Sequence, residues 1–209
     1  MIVRYSFKYF GHHRDNRNGA VIVHVTRTSL FEQRSNFSTF PVIWEYACSQ
    51  RTIKDLAKQC GADYTININE ITDPGDRIER VKELVGGGRS GADTVVEVVG
   101  FPGVVPEGLE MLRPGGRYIE IGNISAKSMV EIDINRVLHG IKYIIPVSFY
   151  SPRLLPAALE MLERTKDRYP LVDLMSHSFD LEDINKAFET SEWFGKDRKT
   201  PVTRAVVKP

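Results

Sequence analysis

Glycine follows two short apolar segments in the middle of the chain, and this spacing is typical of a ligand-binding edge. Gly100 and Phe101 follow residues 94–99, and Gly122 and Asn123 follow residues 117–121. Glycine has no side chain, so a flat ligand can approach the backbone closely at these points. The alternative is that these glycines only form turns.

The elements around these glycines read as strand, helix and strand. Residues 94–99 are rich in β-branched side chains, as expected for a buried parallel strand. Apolar residues then recur at helical spacing until Pro114, Gly115 and Gly116, which cannot continue a helix. Residues 117–121 form the second strand. Ligands of such βαβ units bind beyond the carboxyl ends of the strands, where both glycines lie.

Predicted strands alternate with predicted helices from residue 20 to residue 207. This alternation predicts an α/β fold, a doubly wound Rossmann-like parallel sheet of about six strands in a single domain covering residues 20–209. Residues 1–19 form a poorly defined N-terminal segment. The first βαβ unit is degenerate before about residue 50, where helical periodicity is weak.

Composition excludes several classes of partner. The formal net charge is +1, so nothing favours nucleic acid or an acidic membrane. The apolar segments are too short to span a bilayer, and the first residues lack the pattern of a signal peptide. Two cysteines cannot form a disulfide framework, so a cytoplasmic location is expected.

No metal site or catalytic residue is predicted. Cys48 and Cys60 lie 12 positions apart, and Cys60 falls on the apolar face of a predicted helix, so the pair cannot make a closed tetrahedral zinc site. His12 and His13 have no acidic or cysteine partner at ligand spacing. We therefore expect no stoichiometric zinc in this chain.

Six segments of the chain, taken in order, resemble the cofactor-binding half of the zinc-type (medium-chain) alcohol dehydrogenases. No single segment is specific, but their order matches the family over about residues 50–209. The segments are Leu56-Ala-Lys-Gln-Cys-Gly-Ala-Asp63, Gly91-Ala-Asp-Thr-Val-Val-Glu-Val-Val-Gly100, Leu112-Arg-Pro-Gly-Gly-Arg-Tyr-Ile-Glu-Ile-Gly122, Tyr169-Pro-Leu-Val-Asp173, Phe179-Asp-Leu-Glu-Asp-Ile-Asn-Lys-Ala-Phe-Glu189 and Thr203-Arg-Ala-Val-Val207.

The resemblance implies an oxidoreductase domain that binds NAD or NADP. It implies that Arg204 contacts the pyrophosphate. It also implies contacts to the nicotinamide side of the cofactor, although the apolar members of this set could equally serve only sheet packing. These residues are Val98, Gly100, Phe101, Ile121, Gly122, Asn123 and Ile145.

The chain departs from the family in its first fifty residues. The glycine-rich turn expected after the first strand is replaced by Thr26-Arg-Thr-Ser-Leu30, whose side chains would crowd the phosphates, so weak cofactor binding is expected. Cys48 stands where an acidic residue should bind the ribose, flanked by Ser49 and Arg51. That set would suit a 2′-phosphate, but the choice between NAD and NADP stays open.

The zinc-holding catalytic half of the family has no counterpart, so the chain is interpreted as a fragment that is inactive on its own. Its candidate partners are a second copy of the chain or a polypeptide that carries the missing half. A non-catalytic nucleotide-binding or interaction module is an alternative. A methyltransferase that uses S-adenosylmethionine is a weaker one, suggested by Leu112-Arg-Pro-Gly-Gly116 but lacking an early glycine-rich acidic motif.

Overall fold

A computed structural model describes residues 20–24, 42–46, 51–85, 88, 90–122, 129–197 and 205–208. The strands in these ranges are β1 (Ala20–His24), β2 (Val42–Tyr46), β3 (Tyr64–Asn67), β4 (Ala92–Glu97), β5 (Leu112–Glu120), β6 (Tyr143–Pro146), β7 (His177–Asp180) and β8 (Ala205–Lys208). The α-helices are α1 (Arg51–Gln59), α2 (Pro74–Val85), α3 (Val104–Met111), α4 (Ile134–His139), α5 (Leu154–Thr165) and α6 (Ile184–Asp197).

Six of these strands form one sheet in the order β3-β2-β1-β4-β5-β6. β2 pairs with β3 in parallel, and β4, β5 and β6 pair in parallel with one another. β1 runs antiparallel to both of its neighbours, β2 and β4. The predicted α/β class and the six-stranded sheet are confirmed, with one strand reversed within an otherwise parallel sheet.

The last strand differs from the expectation that it extends this sheet. β8 instead pairs in parallel with β7, and the two form a separate two-stranded sheet. The described residues accordingly divide into two compact units. The first contains the six-stranded sheet with α2, α3 and α4; the second contains α1, α5, α6 and the β7–β8 pair, on which α6 packs.

Aspartate side chains begin two helices of the first unit. The Asp73 carboxylate accepts hydrogen bonds from the backbone N–H groups of Gly75 (2.7 Å) and Asp76 (3.2 Å) at the start of α2. Asp133 accepts in the same way from Asn135 (2.9 Å) at the start of α4. These bonds satisfy N–H groups that have no partner within the helix.

α3 ends earlier than the sequence predicts. The predicted helix continues to Pro114, whereas the observed helix ends at Met111 and β5 begins at Leu112. Leu112 pairs with Ala92, and a shift in register before the next pair, Thr94 with Arg117, accommodates the Pro-Gly-Gly segment. Sheet pairing therefore takes over where local helix periodicity still continues.

The core of the first unit lies between the sheet and helices α2 and α3. Leu109 and Met111 of α3 pack with Val95 of β4 and Tyr118 of β5, all of them buried. Gly108 allows this packing, because a side chain there would overlap the Tyr118 ring. α3 thereby fixes the two strands whose carboxyl ends carry the predicted site. None of the described helices is both long and apolar enough to cross a membrane.

Candidate functional site

The carboxyl ends of β4, β5 and β6 lie side by side. Glu97 is level with Glu120, and Glu120 is level with Pro146. The Ile121 N–H donates to the carbonyl oxygen of Glu97 (3.0 Å), and the Val147 N–H donates to that of Glu120 (2.8 Å). The backbone pairing thus continues one residue beyond the strands and gives this edge a fixed shape.

Three of the predicted apolar site residues lie at this edge. Val98 is buried directly after β4, Ile121 is half-buried directly after β5, and Ile145 is exposed near the end of β6. Ile145 pairs with Ile119, so it lies on the sheet face opposite to that of Tyr118 and α3. The fold therefore brings residues from three strands to one edge, although Val98 offers a ligand little surface.

Gly100 and Gly122 meet each other at this edge. Gly100 has a φ of +78°, a conformation that favours glycine, and a side chain on it would overlap the carbonyl oxygen of Gly122. A side chain on Gly122 would overlap the Gly100 nitrogen and the Glu97 carboxylate. The close approach that requires glycine here is between two turns of the protein.

The remaining predicted residues are divided between the edge and the parts of the chain that the structure does not describe. The Phe101 side chain is 43% exposed just beyond Gly100. Asn123, Arg204 and Cys48 lie outside the described residues. The residue after Arg204, Ala205, begins β8 in the second unit.

Glu97 is the prominent residue of this edge that the sequence analysis did not single out. Its side chain is fully buried, and its carboxylate accepts hydrogen bonds from the backbone N–H groups of Val99 (2.5 Å), Gly100 (2.8 Å) and Gly122 (3.2 Å). Burial, together with a hydrogen bond to the neighbouring Glu120 side chain, raises the pKa of Glu97 to about 8. The sequence does contain a signal for this residue: Glu97 is the one charged residue in the run 94–99, and charged side chains are seldom buried without a specific role.

The direction of β1 changes the interpretation of the missing phosphate-binding turn. Val21 pairs with Glu97 and His24 with Thr94, so the chain leaves β1 at the edge where β4 begins. The carboxyl end of β1 therefore lies at the edge opposite to the carboxyl ends of β4 and β5. Thr26 to Leu30, which are expected to crowd the phosphates, lie outside the described residues.

These residues fit one end of a dinucleotide better than the other. The apolar side chains at the edge suit the flat face of a nicotinamide ring, whereas the N–H groups of Val99, Gly100 and Gly122 are already engaged by Glu97. A pyrophosphate would therefore need donors from elsewhere. Within the described ranges no group of three or more His, Cys, Asp or Glu side chains could hold a metal ion.

Comparison with protein families gives a match over more than half of the chain. The family model for zinc-binding dehydrogenases matches residues 46–164. This range contains α2, α3 and the strands β3 to β6, and thus the whole edge described above. The comparisons support neither a methyltransferase nor an interaction module.

Two curated relatives are similar to the same part of the chain. Erythritol/L-threitol dehydrogenase from Mycolicibacterium smegmatis is 34% identical over 134 residues, which cover 64% of this chain and 34% of the relative. The 5-exo-hydroxycamphor dehydrogenase from Pseudomonas putida is 32% identical over 135 residues, which cover 65% of this chain and 37% of the relative. The matched part is therefore about a third of each relative.

Solved structures share the fold. An alcohol dehydrogenase from Thermotoga maritima has a TM-score of 0.66 at 23% identity, over 79% of this chain and 42% of its own. A zinc-binding dehydrogenase from Sinorhizobium meliloti, solved with NADP bound, has a TM-score of 0.61 at 20% identity, over 79% of this chain and 44% of its own.

Proposed function

Because the chain belongs to the zinc-binding dehydrogenase family of alcohol dehydrogenase-like oxidoreductases, we propose that its sheet binds the nicotinamide end of NAD or NADP. The observation that carries the proposal is the convergence of Val98, Ile121 and Ile145 at the adjoining carboxyl ends of three strands. Ligands of open α/β sheets bind at such ends. NADP in a structural neighbour with the same fold supports it.

In this proposal the edge residues form an apolar wall for the nicotinamide ring. Ile145 and Ile121 supply accessible apolar surface, and Phe101 closes the wall beyond Gly100. Asn123 adds a contact on the nicotinamide side, and Arg204 extends the site toward the pyrophosphate, as the family resemblance implies. Affinity is expected to be weak, because β1 is antiparallel to β4 and its carboxyl end lies at the opposite edge of the sheet.

The chemistry of the family is hydride transfer between an alcohol and the nicotinamide, with zinc as the Lewis acid that stabilises the alkoxide. This chain positions the ring and excludes water from one of its faces. A complete active site requires a zinc-holding part that the described residues do not supply. The names of the relatives indicate alcohols, including polyols, as the substrate class.

Direct titration tests the binding proposal. NADH, NADPH and S-adenosylmethionine are titrated separately into the purified chain, with binding followed by calorimetry and by nicotinamide fluorescence. We expect one or both dinucleotides to bind and S-adenosylmethionine not to bind. Binding of S-adenosylmethionine alone would favour a methyltransferase, and binding of none of the three would favour an interaction module.

Two neighbouring residues of β6 provide a matched pair of variants. Ile144 and Ile145 are 41% and 38% exposed, and alternate residues of a strand point to opposite faces. Ile145→Ser should weaken dinucleotide binding about fivefold, through roughly 1 kcal/mol of lost apolar contact. Ile144→Ser should leave binding unchanged. Equal effects of the two variants would remove Ile145 from the site.

Turnover is tested separately from binding. We expect the isolated chain to oxidise no member of a panel of primary, secondary and polyol alcohols in an NAD(P)H absorbance assay, even with zinc added. Metal analysis should find no stoichiometric zinc, because Cys48 and Cys60 alone cannot make a tetrahedral site. Robust turnover, or one tightly held zinc per chain, would refute the expectation that the chain is inactive on its own.

A further inference from the structure

A single buried carboxyl group joins the two turns of the candidate site. One oxygen of Glu97, Oε1, accepts hydrogen bonds from the backbone N–H groups of Val99 (2.5 Å) and Gly100 (2.8 Å). The other oxygen, Oε2, accepts from the N–H of Gly122 (3.2 Å), which belongs to the turn after β5. The Glu97 side chain is fully buried and thus has no route to exchange these partners for water.

Gly100 and Gly122 leave room for the close approach of the two turns and of the Glu97 carboxyl group. A side chain on Gly122 would lie within about 2.8 Å of both Glu97 oxygens, and one on Gly100 would overlap the Gly122 carbonyl. The two turns therefore approach each other as closely as their backbones allow. The Glu97 carboxyl group fills the space between them and satisfies N–H groups that would otherwise be left without an acceptor.

A second carboxylic acid lies beside the first. Glu120 is level with Glu97 on the neighbouring parallel strand, and the two side chains share a hydrogen bond. Such a bond requires a proton on one of them. Burial and this contact raise the pKa of Glu97 to about 8, so it holds that proton at neutral pH. Tyr118 on β5 and, acting on Tyr118, Glu107 on α3 are the other titratable groups of this region.

We propose that Glu97 is a positioning residue of the nicotinamide pocket, whose carboxyl group ties the turn after β4 to the turn after β5 and so sets the shape of the edge that receives the ring. The role rests on the proposed function, because the ring is taken to lie against Ile121 and Phe101 on these turns. Glu97 itself is buried beneath the edge and does not touch the ligand. It acts by holding the two turns in the arrangement that binding needs, which saves the cost of ordering them on binding.

Three variants separate this role from a general effect on folding. Glu97→Gln keeps the shape, an acceptor for Val99 and Gly100, and a donor toward Glu120. Its amide nitrogen cannot accept from the Gly122 N–H, so this variant removes only the tie to the turn after β5. Glu97→Ala removes all three acceptor contacts. Glu107→Gln is the control for a general loss of stability, because Glu107 is also a buried carboxylate of this unit but pairs with Arg77 of α2 and not with the backbone of the turns.

Two measurements are made on each full-length variant. The first is amide hydrogen exchange at Val99, Gly100 and Gly122. It reports how firmly the Glu97 carboxyl group holds these three N–H groups when no ligand is present. The second is the dissociation constant for NADH and NADPH. Glu97→Ala should speed exchange at all three amides and raise the dissociation constant by about tenfold or more. Glu97→Gln should speed exchange at Gly122 alone and raise the dissociation constant less than Glu97→Ala does. Glu107→Gln should speed exchange at these amides no more than at Val81 of α2, because it lowers the stability of the unit without removing an acceptor from the turns.

The outcomes distinguish the positioning role from the proposed function. If the wild-type chain binds neither dinucleotide, the proposed function fails and the positioning role fails with it. If the wild type binds but Glu97→Ala binds equally well, only the positioning role is overturned. Should Glu97→Ala prove too unstable to purify, Glu97→Gln decides in its place: wild-type exchange at Gly122 together with wild-type affinity would overturn the role.

Discussion

A buried ion pair joins α2 to α3 and sets the position of the helix that supports the site. The guanidinium group of Arg77 donates two hydrogen bonds to the Glu107 carboxylate, at 2.6 Å and 2.7 Å. The two side chains are only 6% and 8% exposed. A third nitrogen, Nη1, donates to the carbonyl oxygens of Ile71 and Thr72, each at 2.8 Å. Each nitrogen of the buried guanidinium group thus donates to at least one acceptor.

Glu107→Gln removes the negative charge and one of the two acceptor oxygens. The cation then stays buried without a counter-charge, and loss of one partner of a buried pair costs about 3–5 kcal/mol. We expect about 3 kcal/mol, the lower end of that range, because the two carbonyl acceptors and one amide oxygen remain. That is a large fraction of the total stability of a domain, about 5–15 kcal/mol.

Urea unfolding measures this cost, with amide exchange at Val81 of α2 and Leu109 of α3 as probes of the first unit. The control is Glu83→Gln, which breaks the pair of Glu83 with Arg80 on the surface of α2, where the side chains are 65% and 48% exposed. Its expected cost is at most about 1 kcal/mol. If Glu107→Gln costs no more than this control, the buried pair does not hold α2 and α3 together.

Three further predictions concern the sheet and its cofactor. The Tyr118 hydroxyl is buried without a hydrogen-bond partner among the described residues. Tyr118→Phe should therefore raise the free energy of unfolding, measured in urea, by about 1 kcal/mol. A decrease of similar size would contradict this and would mean that the hydroxyl has a partner. Glu97 keeps its proton to about pH 8 when folded, against a usual pKa of 4.5. Its contribution to stability is therefore complete below about pH 4.5 and is lost as the pH rises through 8. Glu97→Gln should abolish this part of the pH dependence of the free energy of unfolding. The same pH dependence in wild type and variant would contradict the prediction. Arg204→Ala should weaken dinucleotide binding by about 1.5–3 kcal/mol, as for a charge-assisted hydrogen bond, with Lys208→Ala on the exposed end of β8 as the control; equal affinities of these two variants would remove Arg204 from the site.

The central βαβ unit could be predicted because its signals are local. β-branched runs mark β4 and β5, and helical spacing of apolar residues marks α3 between them. The end of α3 could not be predicted in this way. Leu112 continues the helical spacing, but its pairing with Ala92 commits it to the sheet, and such pairing depends on residues twenty positions away. Local sequence thus predicts a helix stop at residues 114–116, which in the structure belong to β5.

The sequence predicts the position of this edge, but it does not predict the hydrogen bonds and close contacts within the edge. Val98, Ile121 and Ile145 follow or end predicted parallel strands, and the carboxyl ends of such strands meet at one edge. Gly100 and Gly122 were recognised as points of close approach, but the sequence does not say what approaches. The partner proved to be the other turn and Glu97, which depends on which face of β4 the carboxylate occupies and on the register of β4 against β5.

The direction of β1 cannot be predicted from local sequence, and it determines which strand ends lie at the edge of the candidate site. Ala-Val-Ile-Val-His is an apolar run that would fill a central position in either direction, so the direction is set only by its pairing with β2 and β4. Because β1 is reversed, Val21 rather than His24 lies beside Glu97. The carboxyl ends of β2, β3, β4, β5 and β6 and the amino end of β1 thus lie at one edge of the sheet. The proposed nicotinamide site needs only the ends of β4, β5 and β6, so the reversal of β1 leaves that proposal intact and bears only on the phosphate end of a dinucleotide.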